Sequence, residues 1–353
     1  MGYTIHGMQH LGVGVPEHAK AWKWYRKFFG LDMPFFNDEA DAELMTIYTN
    51  NRIISKRAAM VLNMKGGCAM EVVRPSTFKA THADVDHQLG DLGINVGWVK
   101  TPDVQAAFEF FKENGAEVLS AIVTMPNGWK AFHIKDLNGL NFQIVEAKDF
   151  YTKSKHVTGG TSGCTVGVSD MEKAMTFYGV LGYDEVVYDE SGAFEDWSTV
   201  NGGHGKYRRV LLTQSNPSGG GFSKLLGKTF LELVLDLSDR KPVKIYEGRQ
   251  WGDIGFVHLA YDIRNMKALG EKLETIGHGF TCDTKDVLSM GESTRVHCTY
   301  TEDPDGTLIE LIEVYKIPII EKLGIYLNVE KRPPSQSYPD LMLKALKFMR
   351  VKD

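Results

Sequence analysis

Residues Asp303 to Glu313 read D-P-D-G-T-L-I-E-L-I-E. The first four of these residues favour a tight turn, because proline fixes one φ angle and glycine accepts a left-handed one. The residues that follow alternate as in a strand, with Leu308, Glu310 and Ile312 on one face. A carboxylate among apolar neighbours must be paired, protonated or bound to a cation. Glu310 therefore needs a partner elsewhere in the chain.

The chain contains an internal repeat, which divides it into two similar halves. Segments that begin at His10 and at Gly163 each combine a short alternating strand, a turn and an amphipathic helix with an aromatic pair. Segments that begin at Asn95 and at His258 have the order strand, turn, helix and strand, and each leads into an aspartate–glycine turn and a last strand. The sequence therefore predicts four strand–helix–strands modules, two in each half.

A polar, glycine-rich stretch near Phe150 to Ser162 separates the halves. We predict an N-terminal domain at residues 1–152 and a C-terminal domain at residues 160–316, with a C-terminal extension at residues 317–353. A helix is expected in the extension around Asp340 to Met349, after a proline pair that breaks the chain. We expect the extension to pack across both halves.

The composition is that of an ordinary globular protein. The chain has 353 residues, of which 43% are apolar and 24% charged, and its formal net charge is -5. This charge and the lack of a basic run argue against nucleic-acid and membrane partners. The first residues lack the pattern of a signal peptide, and the four cysteines form no C-x-x-C pair. We predict a cytoplasmic monomer or homodimer with a small-molecule substrate.

The four modules, the histidine near the first strand and the closing D-P-D-G-x-x-I-E together resemble the vicinal oxygen chelate superfamily. This superfamily includes glyoxalase I and extradiol dioxygenases. The resemblance covers the chain up to the C-terminal extension. It implies an α+β fold of four βαβββ modules in two tandem glyoxalase-like domains, whose sheets curl around one divalent metal ion. Each module can then offer one ligand from its first strand and one from its last.

This resemblance, applied module by module, implies one metal site assembled across the two halves. The first and fourth modules offer two imidazoles and two carboxylates, namely His10, Glu71, His258 and Glu310. The second and third modules offer Asn95, Gln143, Gly163 and Glu232. The first set suits zinc, nickel, cobalt, manganese or iron(II), whereas the second set would bind a metal poorly.

Glyoxalase I-like chemistry is the function that the resemblance favours. With the ion as a Lewis acid, one carboxylate would remove a proton next to a carbonyl of an oxygen-chelating substrate. Glu310 or Glu71 would be this base, and we favour Glu310. Glutathione-dependent members tend to carry an arginine four residues after the first ligand, where this chain has Gly14, so a glutathione adduct is not supported. Four arginines could instead hold an acidic substrate: Arg74, Arg208, Arg209 and Arg295.

Two other functions fit the same pattern. An iron(II) ring-cleaving dioxygenase would use His10, His258 and Glu310, with Glu71 outside the coordination sphere. His297 and Tyr300 are then candidate acid/base groups.

A non-catalytic protein of the same fold would instead hold a small ligand between its sheets. Its second cavity would lie near three aromatic residues, Trp98, Trp129 and Phe132, which are otherwise expected in the core.

Overall fold

The computed structural model describes residues 2–217, 219–285, 288–290, 294–320 and 325–352. Across these residues the chain has an α+β fold, in which helices pack on two large mixed sheets. No helix in the described part is both long enough and apolar enough to cross a bilayer.

The four predicted modules are confirmed. The first contains β1 (Thr4–Gly14), α1 (His18–Phe29), β2 (Met33–Asp41), β3 (Ser55–Leu62) and β4 (Ala69–Pro75). The second contains β5 (Gly93–Thr101), α2 (Val104–Glu113), β6 (Glu117–Val118), β7 (Val123–Thr124), β8 (Lys130–Lys135) and β9 (Asn141–Glu146). The third contains β10 (Thr161–Gly167), α3 (Met171–Val180), β11 (Glu185–Gly192), β12 (Tyr207–Thr213), α4 (Ser223–Leu226) and β13 (Phe230–Asp236). The fourth contains β14 (Gly255–Arg264), α5 (Met266–Thr275), β15 (Cys282–Asp283), β16 (Leu288–Met290), β17 (Thr294–Glu302) and β18 (Leu308–Ile320).

The two sheets combine modules from opposite halves of the chain. The first sheet has the order β15-β17-β18-β14-β1-β4-β3-β2, so it joins the fourth module to the first. The second sheet has the order β11-β12-β13-β10-β5-β9-β8-β6, so it joins the third module to the second. The predicted domains at residues 1–152 and 160–316 therefore each contribute one module to each sheet. The boundaries of these two domains stay a prediction.

A hydrophobic core lies between the helices and one face of both sheets. Alternation along β1 places Leu11 and Val13 in this core together with Phe28 and Phe29 of α1. His10, which precedes the core residue Leu11 on β1, points to the opposite face of the first sheet. We call this opposite face, which bears His10, the inner face of the first sheet.

In each half of the chain, a buried aspartate in the last turn accepts hydrogen bonds that connect this turn to a helix. Asp303 accepts two backbone N–H groups of its own turn at 2.7 and 3.0 Å, and its Oδ2 accepts the hydroxyl of Tyr178 in α3 at 2.9 Å. Burial raises the pKa of Asp303 to about 6. The same arrangement recurs at Asp136, which accepts the hydroxyl of Tyr25 in α1 at 2.6 Å. In each half, therefore, the helix of one module is bonded to the closing turn of the next.

The C-terminal extension contacts both halves, as predicted. It contains β19 (Ile325–Asn328), α6 (Asp340–Ala345) and a 3₁₀ helix at Leu346–Met349. Its Tyr338 N–H donates to Gly221 at 2.9 Å, and the Tyr338 ring contacts Phe222 at 4.6 Å between centroids. Arg350 donates to Asp32 in the first half at 2.9 Å. Tyr338 and Phe222 belong to an apolar cluster with Ala260 and Ile312, so the extension covers one end of the inner face.

We expect Tyr178→Phe and Tyr25→Phe each to lower the free energy of unfolding by about 1.5–3 kcal/mol, the contribution of a hydrogen bond to a charged group. Urea unfolding at pH 8, where Asp303 is ionised, measures this loss. Tyr326→Phe is the control, because Tyr326 lies on the surface, and should change the free energy by less than about 0.5 kcal/mol. Losses equal to the control would show that these hydrogen bonds do not fasten the halves.

Candidate metal centre

Strand pairing brings His10 and His258 together. β1 and β14 are antiparallel neighbours, with Leu11 opposite Leu259 and Gly12 opposite His258. On the outer sides of this pair, β4 runs parallel to β1 and places Glu71 beside Gly12. The other flanking strand, β18, runs parallel to β14 and carries Glu310. Four adjacent strands thus direct the four predicted ligands to the inner face.

The four ligand atoms lie close enough to bind a single ion. The Nε2 atoms of His10 and His258 are 2.9 Å apart, and Glu310 Oε2 lies 3.1 and 3.3 Å from them. Glu71 Oε2 lies 3.4 Å from His258 and 3.9 Å from His10. One donor atom from each residue can be chosen so that all lie within 4.8 Å of one another. Bonds of about 2.0–2.2 Å from one ion place neighbouring ligand atoms about 3.0–3.5 Å apart, so the observed spacing fits a metal ion.

The hydrogen bond of His10 to Gln9 also fits a metal ligand. His10 Nδ1 donates to Gln9 Oε1 at 3.1 Å, which leaves a lone pair on Nε2 directed at His258. Two imidazole lone pairs 2.9 Å apart repel each other unless a proton or a cation lies between them. A cation held by both nitrogens and both carboxylates removes this repulsion.

Charges within the site keep both carboxylates ionised. Burial opposes ionisation of Glu310, but when the imidazoles of His10 and His258 carry protons in place of a metal, their hydrogen bonds and charge outweigh burial and hold the pKa of Glu310 well below the usual value. Burial likewise opposes ionisation of Glu71, yet the charges of Lys56 and the two histidines lower its pKa. Ionised carboxylates are the form that binds a metal.

An apolar cluster borders the site. It contains Met45, Val257, Leu308, Trp251 and Tyr300. Trp251 lies parallel to the His258 ring, at 5° and 6.5 Å between centroids, and Tyr300 meets the same ring edge-on at 5.9 Å. Burial and the charge of Glu310 raise the pKa of Tyr300 well above its usual value, so its hydroxyl stays protonated. The site is therefore shielded from water on this side.

His297, a candidate acid/base group for the dioxygenase alternative, is not brought to this site. Tyr300 pairs with Glu310 across β17 and β18, whereas His297 pairs with Glu313 on the opposite face of the sheet. His297 Nε2 instead bonds Asp283 at 2.7 Å. Because side chains alternate between the two faces of a strand, the spacing of these two residues on β17 could have shown that they lie on opposite faces.

The second sheet differs from the predicted ligand set at Asn95. In the first module Gly12 pairs with Glu71, and the ligand position His10 lies two residues before Gly12. In the third module Thr165 pairs with Glu232, and the corresponding position Gly163 lies two residues before Thr165. In β5, Trp98 pairs with Gln143, so the matching position is Val96 and the prediction of Asn95 was wrong. The Asn95 side chain instead bonds the backbone at residues 90, 91 and 93 at 2.7–2.9 Å. These bonds shape the entry into β5 and use the asparagine amide.

In the second sheet, an arginine lies beside Glu232, on the face that corresponds to the inner face of the first sheet. Arg209, which the sequence offered as a possible ligand for an acidic substrate, is fully buried. It donates to Glu232 at 2.8 Å and to both oxygens of Asp196 at 2.8 and 2.9 Å. Tyr188 and Thr165 donate to the two oxygens of Glu232. A fixed guanidinium thus neutralises Glu232, which leaves this carboxylate little capacity to bind a metal. The sequence pattern did not show this role for Arg209, because Asp196 lies on a separate 3₁₀ turn.

We expect Arg209→Met to lower the free energy of unfolding by about 3–5 kcal/mol, because it leaves Glu232 and Asp196 buried without a counter-charge. The adjacent Arg208 is the matched control. It lies on the same strand and pairs with Glu172 and Asp189 at the surface, so Arg208→Met should cost about 1 kcal/mol or less. Denaturant unfolding of both variants measures the difference. Equal losses would contradict a buried charge cluster in the second sheet.

Comparison with known proteins supports the class that this fold and site define, a glyoxalase-like fold of paired βαβββ modules. The sequence model of the Glyoxalase/Bleomycin resistance protein/Dioxygenase superfamily matches residues 7–144. Glyoxalase I from Zea mays is similar over 88% of this chain and 92% of that chain, with 14% identity and a TM-score of 0.53. A provisionally named dioxygenase from Bacillus subtilis subsp. subtilis str. 168 is similar over 88% of this chain and 86% of that chain, with 14% identity and a TM-score of 0.53. No curated protein sequence matches this chain.

Residues 7–144 of the chain thus match the Glyoxalase/Bleomycin resistance protein/Dioxygenase superfamily, and 88% of the chain is similar in fold to glyoxalase I. The matched residues cover the first two modules, and the shared fold extends over the other two. Members of this superfamily are mostly metal-dependent enzymes. The buried histidine–glutamate group on the inner face could hold such a metal.

Proposed function

We propose that the protein is a divalent-metal-dependent lyase or isomerase of the glyoxalase I type, with one active site on the inner face of the first sheet. The observation that carries this proposal is the convergence of His10, Glu71, His258 and Glu310 from four adjacent strands. Two nitrogens and two carboxylate oxygens suit zinc, nickel, cobalt, manganese or iron(II). A bound ion would supply Lewis acidity toward the oxygens of a small chelating substrate.

Glu310 is the better candidate for the base that removes a proton next to the substrate carbonyl. Glu71 is held by the Lys56 ammonium at 3.3 Å, whereas no lysine or arginine of the described residues lies within 4.0 Å of Glu310. Without a lysine or arginine partner, the Glu310 carboxylate is freer than that of Glu71 to turn toward a substrate. The Glu310 side chain is also the more exposed of the two, at 12% against 7%, so a substrate can reach it.

The apolar cluster around Trp251 and Tyr300 would keep water away from the carbanion that proton removal creates. Exclusion of water strengthens the electrostatic interactions in the site and prevents water from protonating the carbanion. The Tyr300 hydroxyl remains protonated and lies near Glu310. It can therefore donate a hydrogen bond to that carboxylate before the substrate binds.

An iron(II) dioxygenase is the second candidate, and one distance favours it. Glu71 lies 3.9 Å from His10, farther than Glu310 at 3.1 Å, and Lys56 holds its other oxygen. If Lys56 keeps Glu71 out of the coordination sphere, His10, His258 and Glu310 form the two-histidine, one-carboxylate set of non-haem iron enzymes. The two functions differ in whether oxygen is consumed.

We expect the metal-loaded protein to exchange the hydrogen next to the carbonyl of 2-oxoaldehyde thiol adducts or 2-oxo acids with deuterium from D₂O. Glu310→Gln should slow this exchange by about 10²–10⁴-fold, the contribution of a general base. Glu71→Gln should slow it less, and Glu17→Gln, at an exposed position, should not change it. NMR measures the exchange, and elemental analysis corrects every rate for bound metal.

Oxygen uptake separates the second candidate from the first. The iron(II)-loaded protein is incubated with catechol or hydroquinone and followed with an oxygen electrode. Oxygen consumption without any deuterium exchange would replace the lyase or isomerase by a ring-cleaving dioxygenase. Exchange that is unaffected by Glu310→Gln would remove Glu310 from its role.

A further inference from the structure

We propose that Lys56 binds a negatively charged group of the substrate, so that the active site selects an anionic oxygen chelator such as a 2-oxo or 2-hydroxy acid. This inference rests on the proposed function, because it concerns the same metal site. It names the substrate class, which neither the fold nor the family assigns.

Lys56 reaches the site from the neighbouring strand. In the pairing of β3 with β4, Met60 lies opposite Glu71 and Lys56 lies opposite Pro75, so every second residue of β3 shares the inner face. The Lys56 Nζ lies 3.3 Å from Glu71 Oε1 and 4.8 Å from the centre of the Trp251 ring. Trp251 lies in turn beside His258, so the ammonium and the ligands border one space.

The geometry leaves Lys56 free to make another contact. Glu71 faces the histidines with Oε2 and faces Lys56 with Oε1, so Lys56 binds the oxygen turned away from the ligand cluster. An ammonium has three N–H donors, and Glu71 accepts one of them. The Lys56 side chain is 20% exposed, more than Glu71 or Glu310, so a substrate that enters the site meets it early.

The charges of the site select for an anion. Glu71 and Glu310 contribute two negative charges and Lys56 one positive charge, which gives a net charge of -1 with neutral histidines. A divalent ion changes this sum to +1. Among the described residues, no other lysine or arginine lies within 4.0 Å of either carboxylate. In a partly buried site, one uncompensated positive charge favours a ligand that carries one negative charge.

Oxamate and oxamide test this inference as a matched pair. Both offer two neighbouring oxygens to a metal, but oxamate carries one negative charge and oxamide none. The protein is loaded with cobalt(II), whose visible spectrum changes when a ligand binds. Titrations give the dissociation constant of each probe for wild type, Lys56→Met, Lys56→Arg and the exposed control Lys20→Met. Bound cobalt and the melting temperature are measured first for every variant.

We expect Lys56→Met to bind oxamate about ten- to a hundredfold more weakly than wild type, the effect of one charge-assisted hydrogen bond. Oxamide binding should change by less than about threefold, and Lys20→Met should resemble wild type with both probes. Lys56→Arg, which keeps the charge, should recover most of the oxamate affinity. If Lys56→Met melts too early to be loaded with cobalt, Lys56→Gln, which removes the charge but keeps a polar side chain, takes its place with the same expected loss.

Three results would overturn the inference, and they are distinguishable. Equal oxamate affinity in wild type and Lys56→Met, with only the cobalt affinity lowered, would show that Lys56 merely positions Glu71. Equal losses for oxamate and oxamide would show a change of shape instead of charge. Wild type that binds no cobalt would reject the proposed metal site itself, and this inference with it.

Discussion

The antiparallel pairing of β1 with β14 is the constraint on which the site depends. These strands lie about 250 residues apart in sequence, one near the start of the chain and one in its last module. Their pairing sets His10 against His258, and the parallel strands on either side add Glu71 and Glu310. If this pairing were lost, the four donor atoms would be divided between two halves that each hold an incomplete set.

The two sheets share one architecture but stabilise their buried carboxylates in different ways. In the second sheet, Arg209 supplies a fixed positive charge to Glu232 and Asp196, and tyrosine and threonine hydroxyls complete the hydrogen bonds. In the first sheet, two carboxylates face two imidazole nitrogens, with a single lysine at the edge. A guanidinium occupies one cavity, whereas in the other the carboxylates and imidazole nitrogens keep a geometry suited to a divalent ion.

The sequence predicted the modules and the four-residue set because both depend on local signals. Aspartate–glycine turns, helices with aromatic pairs and strand alternation recur in each half, and the resemblance supplied the pairing of the first with the fourth module. Features that depend on long-range contacts were missed. The sequence did not show that Asp196 pairs with Arg209, that the Asn95 side chain bonds its own turn, or that the strand register places Val96 at the matching position. The position of Lys56 near Glu71 depends on the pairing of β3 with β4, which the sequence pattern did not reveal.

Metal content of the wild type, His10→Ala and His258→Ala, measured by elemental mass spectrometry, tests the central claim most directly. The account predicts about one equivalent of divalent metal in the wild type and loss of that metal in both variants, because one ion takes a ligand from each half. Retention of the metal in His10→Ala, with loss in His258→Ala, would place the site within the second half alone. Wild type without metal, after supplementation with zinc, nickel, cobalt, manganese and iron(II), would contradict the account altogether.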